Sequence, residues 1–173
     1  MNMKGSITTR PMHLRDLDAI IAIDSEIRKT GKVITYAKIT SEQIITAMKA
    51  FTQSAYPESY GDFISRDMSG RVECCYVAEV DAEIRGFVVG QTTIEMTHEK
   101  SEQIGEVLVI GVHPSYWRKG IARRLLEGLY DAFRQKEVSK VKILIDRNDG
   151  YLMGLCERMG FDAKQLVEYT ISI

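Results

Sequence analysis

The chain has 173 residues and a formal net charge of −1, so it lacks the basic footprint that general nucleic-acid binding requires. Hydrophobic residues make up 45% and charged residues 27%, which is typical of a globular protein, and we expect a single domain over 1–173. The chain has three cysteines, an odd number that does not fit a framework of paired disulfides. No apolar run resembles a signal peptide or a membrane span, so we expect a cytoplasmic protein without a membrane partner.

The first 70 residues predict one strand and two helices. The strand is expected at 7–10 and the first helix at 13–28, where apolar residues recur at helical spacing. The second helix is expected at 41–52, behind a capping-box pattern. Residues 53–70 are aromatic but irregular, and two interpretations stay open: a loop packed on the core, or a loop that faces a substrate.

The rest of the chain predicts five strands and two helices. Strands are expected at 74–80, 84–96, 106–113, 141–145 and 166–173. One helix begins near Ile121 and carries a strong apolar face, and the other follows Asn148 and Asp149. The predicted fold class is therefore α/β (α+β), with a mixed, mostly antiparallel sheet of about six or seven strands, about four helices and a central β-α-β unit.

The turn at 117–122, Trp-Arg-Lys-Gly-Ile-Ala, has the character of an anion site. It lies between an apolar strand and a helix start, where unpaired N–H groups and the helix dipole favour negative charge. The sequence contains neither a P-loop nor a dinucleotide-binding glycine pattern. Its three histidines have no partners at metal-ligand spacing, so no metal is expected.

This central stretch resembles the acetyl-CoA-dependent GNAT acyltransferase superfamily, whose motif after the fourth strand reads Gln/Arg-x-x-Gly-x-Gly/Ala. Gly120 and Ala122 match that motif, whereas Trp117 stands where the family has Gln or Arg, and we expect it to pack or stack there. The start of the chain (TTRPMHLRDLDAIIAID) and the segment 155–161 (LCERMGF) are also similar to the family. The resemblance thus implies a GNAT-like fold over nearly the whole chain.

A CoA site follows from the resemblance. The pantetheine arm would pair with strand backbone at Ile110, Gly111 and Val112. The pyrophosphate would lie on a turn made of Arg118, Lys119, Gly120, Ile121, Ala122 and Arg123. Either Asn148 or Asp149 would contact the pantetheine, while a plain helix N-cap is the open alternative for both.

The chemistry requires a group that takes a proton from the attacking amine. Glu106 is the first candidate for this base, and Asp146 is the second; both could instead be solvated carboxylates. In relatives a tyrosine of the last helix often protonates the leaving thiolate, and Cys156 holds that place here. Tyr151 or water could act instead, and Cys156 could simply be a buried core residue.

The resemblance implies an N-acetyltransferase that moves an acetyl group from acetyl-CoA, its co-substrate, to a primary amine by direct transfer. The expected partner is an amine-bearing small molecule, or a protein N-terminus or lysine; a homodimer stays open, and no nucleic acid is expected. A non-catalytic acetyl-CoA-sensing module on the same fold is the alternative, and a pure interaction domain is a third class.

Overall fold

A five-stranded mixed sheet forms the centre of the described part of the chain, which comprises residues 6–32, 74–96 and 100–163 of a computed structural model. In chain order its elements are β1 (Ile7–Pro11), α1 (Leu17–Lys29), β2 (Cys74–Val80), β3 (Glu83–Met96), β4 (Ser101–Val112), α2 (Ile121–Gln135), β5 (Lys140–Ile143) and α3 (Gly150–Arg158). The helix predicted at 41–52, the loop at 53–70 and the strand at 166–173 lie outside the described residues.

The strands follow one another across the sheet in the order β1-β2-β3-β4-β5. The first three pairings are antiparallel, and β4 pairs with β5 in parallel. The connection between these parallel neighbours runs through α2, so the predicted central β-α-β unit is confirmed. The predicted α+β class with a mostly antiparallel sheet is confirmed as well.

The last part of β4 separates from β5. Their parallel register ends at the pair Val107 and Ile143, although β4 continues to Val112. A bulge precedes the separation: Val109 lies opposite Val89 and Val107 lies opposite Gly90, which leaves Leu108 as an extra residue in β4. Within the described residues, 109–112 are therefore paired with a strand only on their β3 side.

Helices cover both faces of the sheet. The apolar side of α1 packs on one face together with Val77, Phe87 and Val89. On the other face α2 buries the apolar stripe that its sequence predicts: Ile121, Leu125, Leu126, Leu129 and Phe133. This packing fixes α2 against the sheet along its whole length. The helix begins directly after the turn at 117–120.

Three boundaries differ from the predictions for physical reasons. The first helix begins at Leu17 rather than at 13, because a 3-10 turn precedes it. The Asp16 amide donates to the His13 carbonyl (2.9 Å) to close this turn, and the Asp16 carboxylate accepts from the His13 amide (2.7 Å). The strand predicted at 106–113 begins at Ser101, because a long hairpin pairs it with β3, and Glu106 therefore lies inside the strand. The strand predicted at 141–145 ends at Ile143, where its pairing with β4 stops.

Candidate active site

A cleft of about 220 Å³ opens beside the separated end of β4. One side is formed by Ile110, Gly111 and Val112 of β4, three residues that the sequence analysis placed in a CoA site. Trp117, Arg118 and Ala122 come from the turn and the first residues of α2. Asp149, Tyr151 and Leu152 at the start of α3 complete the cleft, together with Ile27 and Lys32 from the end of α1 and beyond.

The turn before α2 has the backbone geometry of an anion site. Gly120 is the N-cap residue in the left-handed region (φ +85°), and no side chain caps the helix. The first helical hydrogen bond in this turn runs from the Arg124 amide to the Gly120 carbonyl (3.1 Å), so the preceding amides of the first turn lack helical partners. These N–H groups and the helix dipole can bind an anion such as a phosphate.

The basic side chains around this turn divide into two groups. Arg123 donates to Glu127 (2.8 Å) along the solvent side of α2, so its charge is already paired. Arg118 and Lys119 are exposed, and within the described residues neither has a carboxylate partner. Arg118 also borders the cleft, with its guanidinium 6.0 Å from the ring centre of Tyr151. The unpaired positive charge is therefore concentrated before the helix rather than along it.

Trp117 makes a hydrogen bond and a cation–π contact. Its indole N–H donates to the carbonyl oxygen of Val112 (2.7 Å), and its ring lies 5.1 Å from the Lys32 ammonium. The expectation that it would pack or stack is met only by the cation–π contact, and the hydrogen bond was not expected. This bond ties the first residue of the turn to the last residue of β4.

Asp149 and Asn148 occupy different environments. Asp149 is buried, borders the cleft and caps α3 by accepting a hydrogen bond from the Leu152 amide (3.1 Å). The N-cap interpretation is thus confirmed for Asp149, which also faces the region proposed for the cofactor. Asn148 is exposed and does not border the cleft. Lys32, which the sequence analysis missed, pairs with the second oxygen of the Asp149 carboxylate (2.8 Å).

Glu106 lies on β4 before the separation, is not among the residues that line the cleft, and is held by a neighbour on β3. Gln91 stands directly opposite in the strand register, and its Nε2 donates to Glu106 Oε2 (2.5 Å). The amide oxygen of Gln91 is buried and has no hydrogen-bond partner within the described residues. Asp146, the second candidate base, instead accepts from the Asn148 amide (2.7 Å) in the loop after β5.

Cys156 lies in the core beneath α2 and does not border the cleft. Burial, with a smaller contribution from the charge of Asp149, raises the pKa of its thiol to about 11. This environment fits the core-residue interpretation better than a proton donor. Tyr151, the alternative donor, does border the cleft and is partly exposed.

Within the described residues, no group of three or more His, Cys, Asp or Glu side chains is arranged to hold a metal ion. None of the described helices is long and apolar enough to span a membrane.

Solved structures share this fold over nearly the full length of both chains. The aminoglycoside N-acetyltransferase AAC(6')-Iy in complex with CoA matches with a TM-score of 0.68 at 12% identity, covering 99% of this chain and 98% of its own. A ribosomal-protein-alanine N-acetyltransferase from Brucella melitensis matches with a TM-score of 0.64 at 19% identity, covering 97% and 100%. An acetyltransferase from Trypanosoma brucei gives 0.64 at 16% identity, covering 96% and 100%.

The sequence also matches a family model directly. The acetyltransferase (GNAT) family model aligns with residues 38–161, which is more than half of the chain and includes the cleft-forming part of β4, the turn and the start of α3. The structural neighbours show the fold, and the family model shows the family to which the chain belongs. The protein is therefore an acyltransferase that belongs to the acetyltransferase (GNAT) family.

Proposed function

We propose that the protein transfers an acetyl group from acetyl-CoA to the primary amine of a small molecule, a protein N-terminus or a lysine. The observation that carries this proposal is the cleft. There, within the described residues, a strand end that is unpaired on one side leads to a helix start without a side-chain cap. This combination suits a ligand with an extended amide-bearing arm and a phosphorylated end. Acetyl-CoA has both.

The residues present fit that ligand. Main-chain groups of Ile110–Val112 would pair with the amides of a pantetheine arm, as a peptide pairs with a sheet edge. The Val112 carbonyl is excepted, because it already accepts the Trp117 indole N–H. The amides of Ile121 and Ala122 would hold the pyrophosphate, with added charge from Arg118 and Lys119. Bound acetyl-CoA supplies an activated acyl group and a thiolate leaving group. Backbone N–H groups near Ile110 would polarise the thioester carbonyl.

Glu106 is proposed as the base of the reaction. As the amine nitrogen forms its bond to the acetyl carbon and the carbon–sulfur bond breaks, Glu106 takes the amine proton, directly or through a water. Gln91 fixes one carboxylate oxygen by its 2.5 Å hydrogen bond, and the other oxygen has no hydrogen-bond partner among the described residues. Tyr151 or solvent returns a proton to the thiolate, since Cys156 lies in the core.

The acceptor is proposed as a class. The matched structures include an aminoglycoside N-acetyltransferase and a ribosomal-protein-alanine N-acetyltransferase, so one fold serves both an aminoglycoside and an alanine of a ribosomal protein. A panel should therefore contain an aminoglycoside, a polyamine and a peptide with a free N-terminus.

The experiment measures thiol release from acetyl-CoA with each amine of the panel. We expect turnover with at least one amine, and Glu106→Gln should lower kcat by about 10²–10⁴-fold. Glu102→Gln is the matched control, because Glu102 lies on the same strand but pairs with Lys140 (2.6 Å). Unchanged turnover in Glu106→Gln would remove the proposed base. Absence of acetyl-CoA binding would remove the proposed function, and binding without turnover would remove the catalytic part of it.

A further inference from the structure

The described cleft is bordered by one carboxylate, that of Asp149. Its side chain is only 7% exposed, and both of its oxygens have partners. One accepts from the Leu152 amide (3.1 Å), and the other lies 2.8 Å from the Lys32 ammonium. The carboxylate and its ion-pair partner therefore lie next to any ligand that enters the cleft.

Lys32 reaches this carboxylate from a distant part of the chain. It follows α1, whereas Asp149 begins α3, and both residues border the cleft. The same ammonium lies 5.1 Å from the ring centre of Trp117, within the range of a cation–π contact. One cation therefore connects three elements around the cleft: the end of α1, the turn before α2 and the start of α3.

We propose that Lys32 is a specificity-determining residue of the acyl-donor site, which it makes acceptable to an anionic donor by cancelling the charge of Asp149. This inference rests on the proposed function. A buried carboxylate without a partner would repel the phosphates of acetyl-CoA and resist further desolvation when the cleft fills. With Lys32 in place the pair is neutral, and the unpaired charges of Arg118 and Lys119 dominate the field in the cleft.

Trp117, where this chain departs from the family motif, takes part in the same contact. It stands where the family has Gln or Arg. Lys32 contacts both the Trp117 ring and the Asp149 carboxylate. The Lys32 ammonium, which follows α1, balances the charge of the aspartate at the N-cap of α3. The same ammonium makes a cation–π contact with the indole ring of Trp117.

The test is a charge-compensation cycle read by fluorescence. The chain contains one tryptophan, Trp117, which borders the cleft and therefore reports acetyl-CoA binding directly. Lys32→Met should raise the Kd for acetyl-CoA on the order of tenfold, because it leaves the Asp149 charge uncompensated. Asp149→Asn keeps a side-chain oxygen for the N-cap, and the double variant should return the Kd to within about threefold of wild type.

Two further variants separate this role from a structural one. Lys29→Met removes a lysine near the end of α1 that pairs with Glu26 (2.5 Å) away from the cleft, and it should bind as wild type does. Lys32→Arg keeps the charge and should also bind as wild type does, including where Lys32→Met fails to fold. Thermal unfolding of each variant measures any loss of stability separately.

The outcomes are distinct. A double variant that binds as weakly as Lys32→Met, or Lys32→Met that binds like Lys29→Met, would overturn the role of Lys32 while leaving the proposed function intact. Wild-type protein that does not bind acetyl-CoA would overturn both.

Discussion

Gly111 occupies a position where one added methyl group should disturb the fold and the cleft together. It lies opposite Phe87 in the register of β3 and β4. A Cβ at this position would lie 2.7 and 2.8 Å from two ring carbons of Phe87 and 3.2 Å from the terminal carbon of Ile27. Because Phe87 is only 1% exposed, its ring cannot move out of the way without displacing the core around it.

The expected cost of Gly111→Ala follows from this overpacking. Forcing a methyl group into a filled core costs about 1–3 kcal/mol of unfolding free energy. For a chain of this length each kcal/mol corresponds to roughly 2–4 °C in Tm, so the variant should melt about 2–12 °C lower. The strain is relieved by moving β4, which carries Ile110 and Val112 at the cleft, so the Kd for acetyl-CoA should rise as well.

Thermal unfolding with and without acetyl-CoA measures both effects. Phe87→Leu in the Gly111→Ala background should recover part of the lost Tm, because a smaller side chain makes room for the new methyl group. Gly128→Ala is the matched control: its new Cβ would have no neighbour closer than 3.5 Å, and alanine is the better helix former. A Gly111→Ala variant that melts with wild type, or a double variant in which the two losses simply add, would refute the packing argument.

Three further outcomes are expected. Gln91→Leu should lower kcat roughly tenfold by releasing the Glu106 carboxylate, with the KM for acetyl-CoA unchanged in steady-state kinetics; an unchanged kcat would contradict the positioning role. Burial favours the neutral form of Asp16, but its hydrogen bonds with Arg10 and the His13 amide outweigh burial and lower the pKa of this carboxyl. The stabilisation is therefore present at neutral pH and lost as the pH falls below ~4, so the Tm difference between wild type and Asp16→Asn should shrink in acid, and a constant difference would count against it. Cys156→Ala should lower Tm but leave kcat within about twofold of wild type, as expected for a core residue; a large loss of kcat at retained stability would restore the thiol as the proton donor.

Local patterns in the sequence predicted those features that depend on neighbouring residues. The apolar stripe of α2 has a strict helical spacing, so its buried face could be identified in advance. Gly120 was placed correctly at the turn, because a strand, a glycine and a helix start occur within a few residues of each other. Both features are encoded by short segments, and the structure confirms them.

The contacts that complete the site could not be predicted in the same way. Gln91 meets Glu106 only because a long hairpin fixes the register of β3 and β4. Lys32 meets Asp149 only after the whole sheet has brought the end of α1 next to α3. Such contacts join residues that are far apart in the chain, so the local periodicity of the sequence does not predict them.

The separation of β4 from β5 has a consequence for how this protein can change over evolutionary time. The peptide groups of residues 109–112 are present whatever side chains the strand carries, so the proposed donor site would depend on strand register more than on residue identity. Side chains on the surrounding segments could then change, and acceptor preference with them, while the proposed donor site is kept. The fold itself is matched by solved structures at 12–19% identity.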